Sequence, residues 1–150
     1  MFADSALEKI QRSLVLSNIV KMLNDTLANA LCITLNAEKA RKDVVEIRPT
    51  SKMIEKVLTI LNEQGYVGGH EKEVVIGGQK IVLNLLGKIN KCGAIKPRLS
   101  IKFADIGKFE KRYLPADGFG VLIISTPQGI ITNEEARKKK IGGTLLAYCY

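Results

Sequence analysis

The N-terminal half of the chain shows apolar residues first at helical spacing, then in a short run, then at helical spacing again. Apolar positions recur every three to five residues over 5–31, which predicts one long or broken amphipathic helix. The run at 44–47 predicts a short strand. A second helix is predicted to begin after Thr50 or Ser51, either of which can cap it, and to end at Gly65.

The C-terminal half is dominated by strand patterns. Apolar and polar residues alternate over 98–103, which predicts a half-buried strand, and the continuous apolar run 119–124 predicts a buried one. A short helix is predicted at 105–114. Another begins after Thr132, which forms a capping box with Glu135 three residues later.

A glycine pair, Gly77-Gly78, stands between two apolar runs. This pattern is typical of a β-hairpin, because residues in such turns need positive φ. The elements together predict an α+β fold of two small lobes. Residues 1–68 would form an N-terminal α/β lobe, and residues 69–150 a mostly-β lobe with short helices.

The charge of the chain is divided unequally between its halves. The net charge is +8, from 23 basic and 15 acidic residues. Residues 1–75 hold ten Lys/Arg and ten Asp/Glu, whereas residues 76–150 hold thirteen and five, so the whole excess lies in the second half. Such asymmetry is typical of a half that faces a polyanion, but a solvated basic surface without a partner explains the charge equally well.

Several classes of protein are disfavoured. No run approaches the roughly 18 apolar residues of a membrane-spanning helix, and Asp4 and Glu8 argue against a secretory signal or transit peptide. The cysteines Cys32, Cys92 and Cys149 are far apart and odd in number. This argues against a disulfide framework or a zinc site and favours small buried hydrophobic residues.

An enzyme is also disfavoured. The chain has one histidine, His70, and no GxSxG, HExxH or P-loop pattern. Asp105, Glu110 and Asp117 could hold a metal, but acidic residues at these spacings are usually solvated. We therefore predict no catalytic residue, no metal, no cofactor and no small-molecule substrate.

Four consecutive cations, Arg137–Lys140, close the last predicted helix. They could simply complement the negative end of that helix, at ~0.3–1 kcal/mol each when exposed. They could also contact phosphates, beside two glycines, Gly142 and Gly143, that let a backbone approach closely. Since the helix end does not require four charges, the pattern favours RNA.

The segment Ser125–Gly129 follows the buried strand. Its residue types are ordinary in turns, so by itself it indicates no function. Its position, however, places two hydroxyls shortly before the basic helix, where they could contact base edges and 2′-hydroxyls of RNA.

Several separate motifs carry a resemblance to a known family. They lie in order along roughly residues 18–150 and comprise Ile47–Lys52, Gly65–Val67, Asn90–Arg98, Leu114-Pro115, Phe119-Gly120, Ile124–Thr132, Glu134–Lys138 and Gly142-Gly143. Together they resemble small-subunit ribosomal protein eight, a family with bacterial, archaeal and eukaryotic members. The motifs at 90–98 and 114–120 are similar to its archaeal and eukaryotic branch.

The resemblance implies a two-lobe protein of the cytoplasmic small ribosomal subunit. It would bind an irregular hairpin in the central domain of small-subunit ribosomal RNA early in assembly and lie beside other ribosomal proteins, and its Ser-Thr turn would enter the RNA minor groove. The RNA contacts then expected are Ser125, Thr126, Pro127, Gly129, Arg137, Lys138, Lys139, Lys140, Gly142, Gly143, Lys91, Lys96, Arg98, Lys39, Arg41, Lys42 and Lys52.

The chain departs from the family pattern in three places. Pro127 replaces a residue that usually carries a hydroxyl and a backbone N–H, so one expected contact is missing. About one helical turn is inserted within 28–35, and the first sixteen or so residues extend beyond the usual start. Two alternatives remain on the sequence alone: a free-standing RNA or mRNA regulator that uses the same surface, and an enzyme whose site has no recognisable motif.

Overall fold

The computed structural model describes residues 25–150. The helix predicted over 5–31 therefore lies mostly outside the described residues. Within them, helix α1 spans Thr26–Lys39, and the Asp25 carboxylate caps it by accepting from the N–H groups of Leu27 and Ala28. The helix extends through the segment predicted as an insertion.

Three strands and a helix complete the N-terminal part. Their bounds are β1 Val44–Ile47, α2 Lys52–Glu63, β2 Val67–Val75 and β3 Gly78–Leu85. The predicted strand and helix are confirmed, and the Ser51 hydroxyl caps α2 by accepting from the Ile54 N–H at 3.3 Å. The predicted hairpin is also confirmed, although its two turn residues are Ile76 and Gly77 and its first strand begins seven residues earlier than the apolar run indicated.

The hairpin does not belong with the strands that follow it. Its second strand, β3, pairs with β1 on one side and with β2 on the other, in an antiparallel sheet of order β1-β3-β2. The boundary predicted at residue 68 falls inside β2, and the change from one sheet to the next lies after Leu85. Sequence reasoning missed this because β1, one of the two partners of β3, pairs with it over separations of 34 to 40 residues.

The second sheet contains five strands and is also antiparallel. The elements of this part are β4 Cys92–Ala94, β5 Ser100–Ile101, a 3-10 turn Phe103–Asp105, α3 Ile106–Tyr113, β6 Val121–Thr126, β7 Gly129–Thr132, α4 Asn133–Lys139 and β8 Gly143–Cys149. The order is β4-β8-β6-β7, with β5 also paired to β8. The strand predicted over 98–103 is shorter than expected, because the chain turns into α3 at Phe103. The α+β fold class is confirmed.

Both faces of the second sheet are covered. Val121 and Ile123 face the core formed by α1, α2 and the first sheet, whereas Leu122 and Ile124 face a second core under α3 and α4. This alternation follows from the period of a β-strand. The N-terminal part of the molecule therefore packs on one face of the second sheet, and α3 and α4 pack on the other. Strands β6 and β8 lie between the two cores.

Candidate nucleic-acid interface

The turn between β6 and β7 is tighter than the sequence indicated. Ser125 and Thr126 are still part of β6, Thr126 pairs with Gly129, and only Pro127 and Gln128 form the loop. The Thr126 side chain is buried (8% exposed), and its hydroxyl donates to the Gly129 carbonyl at 2.8 Å. Of the two predicted hydroxyls, Thr126 thus closes the turn, and Ser125, which is half-buried on the opposite face, is the one available to a ligand.

Ser125 has two hydroxyl neighbours that sequence reasoning missed. Across the sheet, Thr144 of β8 pairs with Ser125 of β6 and with Ser100 of β5. Directly paired residues of antiparallel strands point to the same face, and the Ser100 and Thr144 hydroxyl oxygens lie 3.5 Å apart. We call Ser100, Thr144 and Ser125 the hydroxyl row. Only the strand register reveals it.

The two glycines before β8 bring this strand close to its neighbours. A Cβ on Gly142 would overlap the Ile101 carbonyl oxygen and lie 3.1 Å from Lys102 Cα. A Cβ on Gly143 would overlap the Ser125 carbonyl oxygen and lie 2.8 Å from Ile124 Cγ2. On the side where a Cβ would stand, the space beside these glycines is therefore filled by the protein itself, and the expectation that they also admit an RNA backbone stays a prediction.

The first cation of the basic run has a structural partner. Arg137 donates to Glu110 of α3, and the Glu110 side chain is only 3% exposed. Asn133 donates to the other carboxylate oxygen at 2.7 Å and accepts from the Leu122 N–H at 3.3 Å. Glu110 is thus not the solvated acid that its spacing indicated, and Arg137 neutralises a buried charge.

The other three cations of the run are oriented toward solvent. Lys138, Lys139 and Lys140 are exposed and form no ion pair with any residue between 25 and 150. Lys140 ends α4 in the left-handed conformation, at φ 55°. Three residues later, at Gly143, the chain enters β8, so the three lysines lie at the same end of the sheet as the hydroxyl row.

The loop cations Lys96 and Arg98 are held at the start of α1. Their side-chain nitrogens lie 3.3 and 3.8 Å from the Asp25 carboxylate oxygens, and both side chains remain about half exposed. Burial acts to raise the pKa of Asp25. The Ala28 N–H and the two cations outweigh this effect, so the pKa lies below its usual value of 3.8.

Replacing Asp25 with Asn is expected to lower the free energy of unfolding by about 1 kcal/mol at neutral pH, because Asn still caps the helix but loses both ion pairs. Since the pKa of Asp25 is lower in the folded state, this stabilisation is complete above the unfolded-state value and is lost as the pH falls through the folded-state value. Urea unfolding from pH 7 downward measures it. The two proteins should converge below pH 3.8, and a constant difference throughout would contradict the ion pairing.

The remaining predicted cations do not all lie at this site. Asp25 at the start of α1 contacts Lys96, whereas Glu38 near its end accepts from the Ile89 N–H, so α1 lies along β4. A 14-residue helix is roughly 21 Å long, which separates two groups of exposed cations. The group at the far end comprises Lys39, Arg41, Lys42 and Lys91; Lys52 is exposed at the start of α2.

The cysteines behave as two buried residues and one exposed residue. Cys92 and Cys149 are free thiols at directly opposite positions of β4 and β8. Burial raises the pKa of the Cys92 thiol to about 12 and also raises the pKa of the Cys149 thiol. Cys32 is exposed.

Within the described residues, no three His, Cys, Asp or Glu side chains are grouped as metal ligands would be. No helix of residues 25–150 has the length and apolarity required to cross a membrane.

The chain matches the sequence model of a family described as Ribosomal protein S8 over residues 25–150. The match includes both sheets, the β6–β7 turn and the basic helix. Residues 1–24 lie outside it, as an N-terminal extension would. Since the match covers more than four fifths of the chain, this protein belongs to the ribosomal protein S8 family of the small ribosomal subunit.

Proposed function

We propose that this protein binds small-subunit ribosomal RNA in the central domain, during assembly, through the end of the second sheet. The surface consists of the hydroxyl row and Lys138, Lys139 and Lys140. One observation carries the proposal: Ser125 pairs with Thr144, which follows Lys140, the last cation of the basic run, by four residues. Neighbouring strands are about 4.8 Å apart, so the hydroxyl row crosses the end of the sheet that the chain enters directly after the three lysines.

The two kinds of side chain suit different parts of an RNA helix. The minor groove of an RNA helix is wide and shallow and displays 2′-hydroxyls and base edges, which serine and threonine hydroxyls can both donate to and accept from. Lysine ammonium groups neutralise the phosphates on either side and release counterions. Pro127 at the tip of the loop lacks an N–H, so recognition at this turn depends on Ser125 more than on the loop itself.

The two contributions can be separated by mutation. In K138Q/K139Q/K140Q we expect the slope of log K against log salt to flatten by about 2 to 3 units, because each phosphate contact contributes about 0.7–0.9. In Ser125→Ala we expect an affinity loss of about 1 kcal/mol for small-subunit ribosomal RNA, from one hydrogen bond, with the slope unchanged. Filter binding at several salt concentrations measures both.

The matched control is K56Q/K72Q/K88Q, which removes the same charge elsewhere and should leave most of the slope intact. Thermal denaturation of each variant verifies that it is folded. An equal loss of slope in both triple variants would mean that the effect is net charge alone. If Ser125→Ala weakened binding to an unrelated RNA duplex as much as to ribosomal RNA, the turn would not be the site of recognition.

A further inference from the structure

Helix α3 presents cations that the proposed site does not include. Lys108, Lys111 and Arg112 are exposed on this eight-residue helix, and its one acid, Glu110, is buried against Arg137. None of the three cations forms an ion pair within residues 25–150. The exposed face of α3 therefore carries three positive charges without an acidic residue of the same helix to balance them.

This face is concave where it meets the second sheet. A depression there is lined by Lys108, Phe109 and Arg112 of α3, by Asp105 and by Ser100 of β5. The Arg112 guanidinium lies over the Tyr113 ring, 5.7 Å from its centroid. This contact limits the conformations that the Arg112 side chain can adopt. Because Ser100 is also the outer member of the hydroxyl row, the depression adjoins the surface proposed above.

The position of α3 relative to α4 is fixed by the same buried ion pair. Glu110 of α3 binds Arg137 of α4, and the Arg137 guanidinium nitrogen would lie only 3.5 Å from a Cβ on Gly107. The two helices thus pack closely on one face of the sheet. Lys108 and Arg112 of α3 line the depression with Ser100, and the cations at the end of α4 precede β8, the strand that pairs with β5.

We infer that the exposed face of α3 is a second RNA-binding site, which holds the backbone phosphates of nucleotides adjacent to those at the hydroxyl row. The inference rests on the proposed function. Phosphodiester oxygens match Lys108, Arg112 and the Ser100 hydroxyl around the depression, since Lys and Arg bind phosphates and Ser can donate to them, and these two cations outnumber the one carboxylate there, that of Asp105. Phe103, 41% exposed and next to Lys102, adds an aromatic surface on which an unpaired base can stack.

The test uses the full chain, in vitro transcribed small-subunit ribosomal RNA and the variant K108Q/R112Q. We expect the log K against log salt slope to flatten by about 1.4 to 1.8 units, from two lost phosphate contacts. Hydroxyl-radical footprinting of the RNA should lose protection at a set of nucleotides distinct from that lost with Ser125→Ala. The matched control, K56Q/K88Q, removes two exposed lysines elsewhere and should keep the wild-type footprint.

The possible failures are distinguishable. If the wild-type protein bound this RNA no better than an unrelated RNA, the proposed function would fail. If the wild type bound specifically but K108Q/R112Q kept the wild-type slope and footprint, only the α3 site would fail, and its charge would be left for an acidic protein partner. A slope change equal to that of K56Q/K88Q, with an unchanged footprint, would also overturn the α3 site.

Discussion

Replacing Gly143 with Ala is expected to destabilise the protein by about 3 kcal/mol or more, the upper range for overpacking a core. The added Cβ would overlap the Ser125 carbonyl oxygen and lie 2.8 Å from Ile124 Cγ2 and 3.0 Å from Thr126 Cγ2. These atoms belong to β6, which is packed on both faces and cannot move away without opening a core. Urea unfolding followed by circular dichroism measures the loss.

A second glycine in a strand is the matched control for this substitution. At Gly69, in β2, a Cβ would have no heavy atom within 4 Å. Gly69→Ala should therefore be neutral or slightly stabilising, because Ala reduces the conformational freedom of the unfolded chain. Equal stability of Gly143→Ala and the wild type would contradict the prediction, because it would mean that β6 and β8 can move apart at Gly143 without cost.

Replacing Arg137 with Ala is expected to cost about 3 kcal/mol, the lower end of the range for breaking a buried ion pair, since Arg137 is itself 51% exposed. The Glu110 carboxylate would stay buried with only the Asn133 amide as a partner. The neighbouring change Lys138→Ala should alter stability by less than about 0.5 kcal/mol, because the Lys138 side chain is exposed. Thermal and urea unfolding of both variants test this contrast.

A double variant tests whether the unpaired buried charge of Glu110 is the cause of the lost stability. In E110Q/R137A the group that remains is neutral and can still accept from Asn133, so part of the lost stability should return. If the double variant were instead less stable than the wild type by the sum of the separate losses in Glu110→Gln and Arg137→Ala, the buried charge would not be the cause. Arg137 also belongs to the run predicted to contact RNA, and the structure gives it in addition a role in holding α3 against α4.

Local signals in the sequence were enough to predict individual elements. Ser51 caps α2 because its hydroxyl satisfies an N–H three residues away, and Thr132 caps α4 by the same short-range geometry. Gly77 marks the first hairpin for a similar reason, since its φ of 98° is unfavourable for other residues. Each cap or turn involves residues within a few positions of one another, so a short stretch of sequence is enough to predict it.

The length of β2 was not predictable in the same way. Residues 67–73 contain two glycines, one histidine and three charged residues, and few of them are buried. Most side chains of an edge strand face solvent, so no apolar alternation marks it. This strand is held by its backbone pairing with β3, which depends on a neighbour and not on its own side chains.

The amino-acid sequence by itself determined the α+β class, the concentration of positive charge in the second half and the motifs of the family. Only the tertiary structure decided which of the predicted residues also hold elements of the fold together. Thr126, Arg137 and Gly143 are committed to contacts with other elements of the protein, whereas Ser100 and Thr144 join Ser125 through strand register alone. Pairings between residues 19 to 44 positions apart leave no local pattern, because they form only when the sheets assemble.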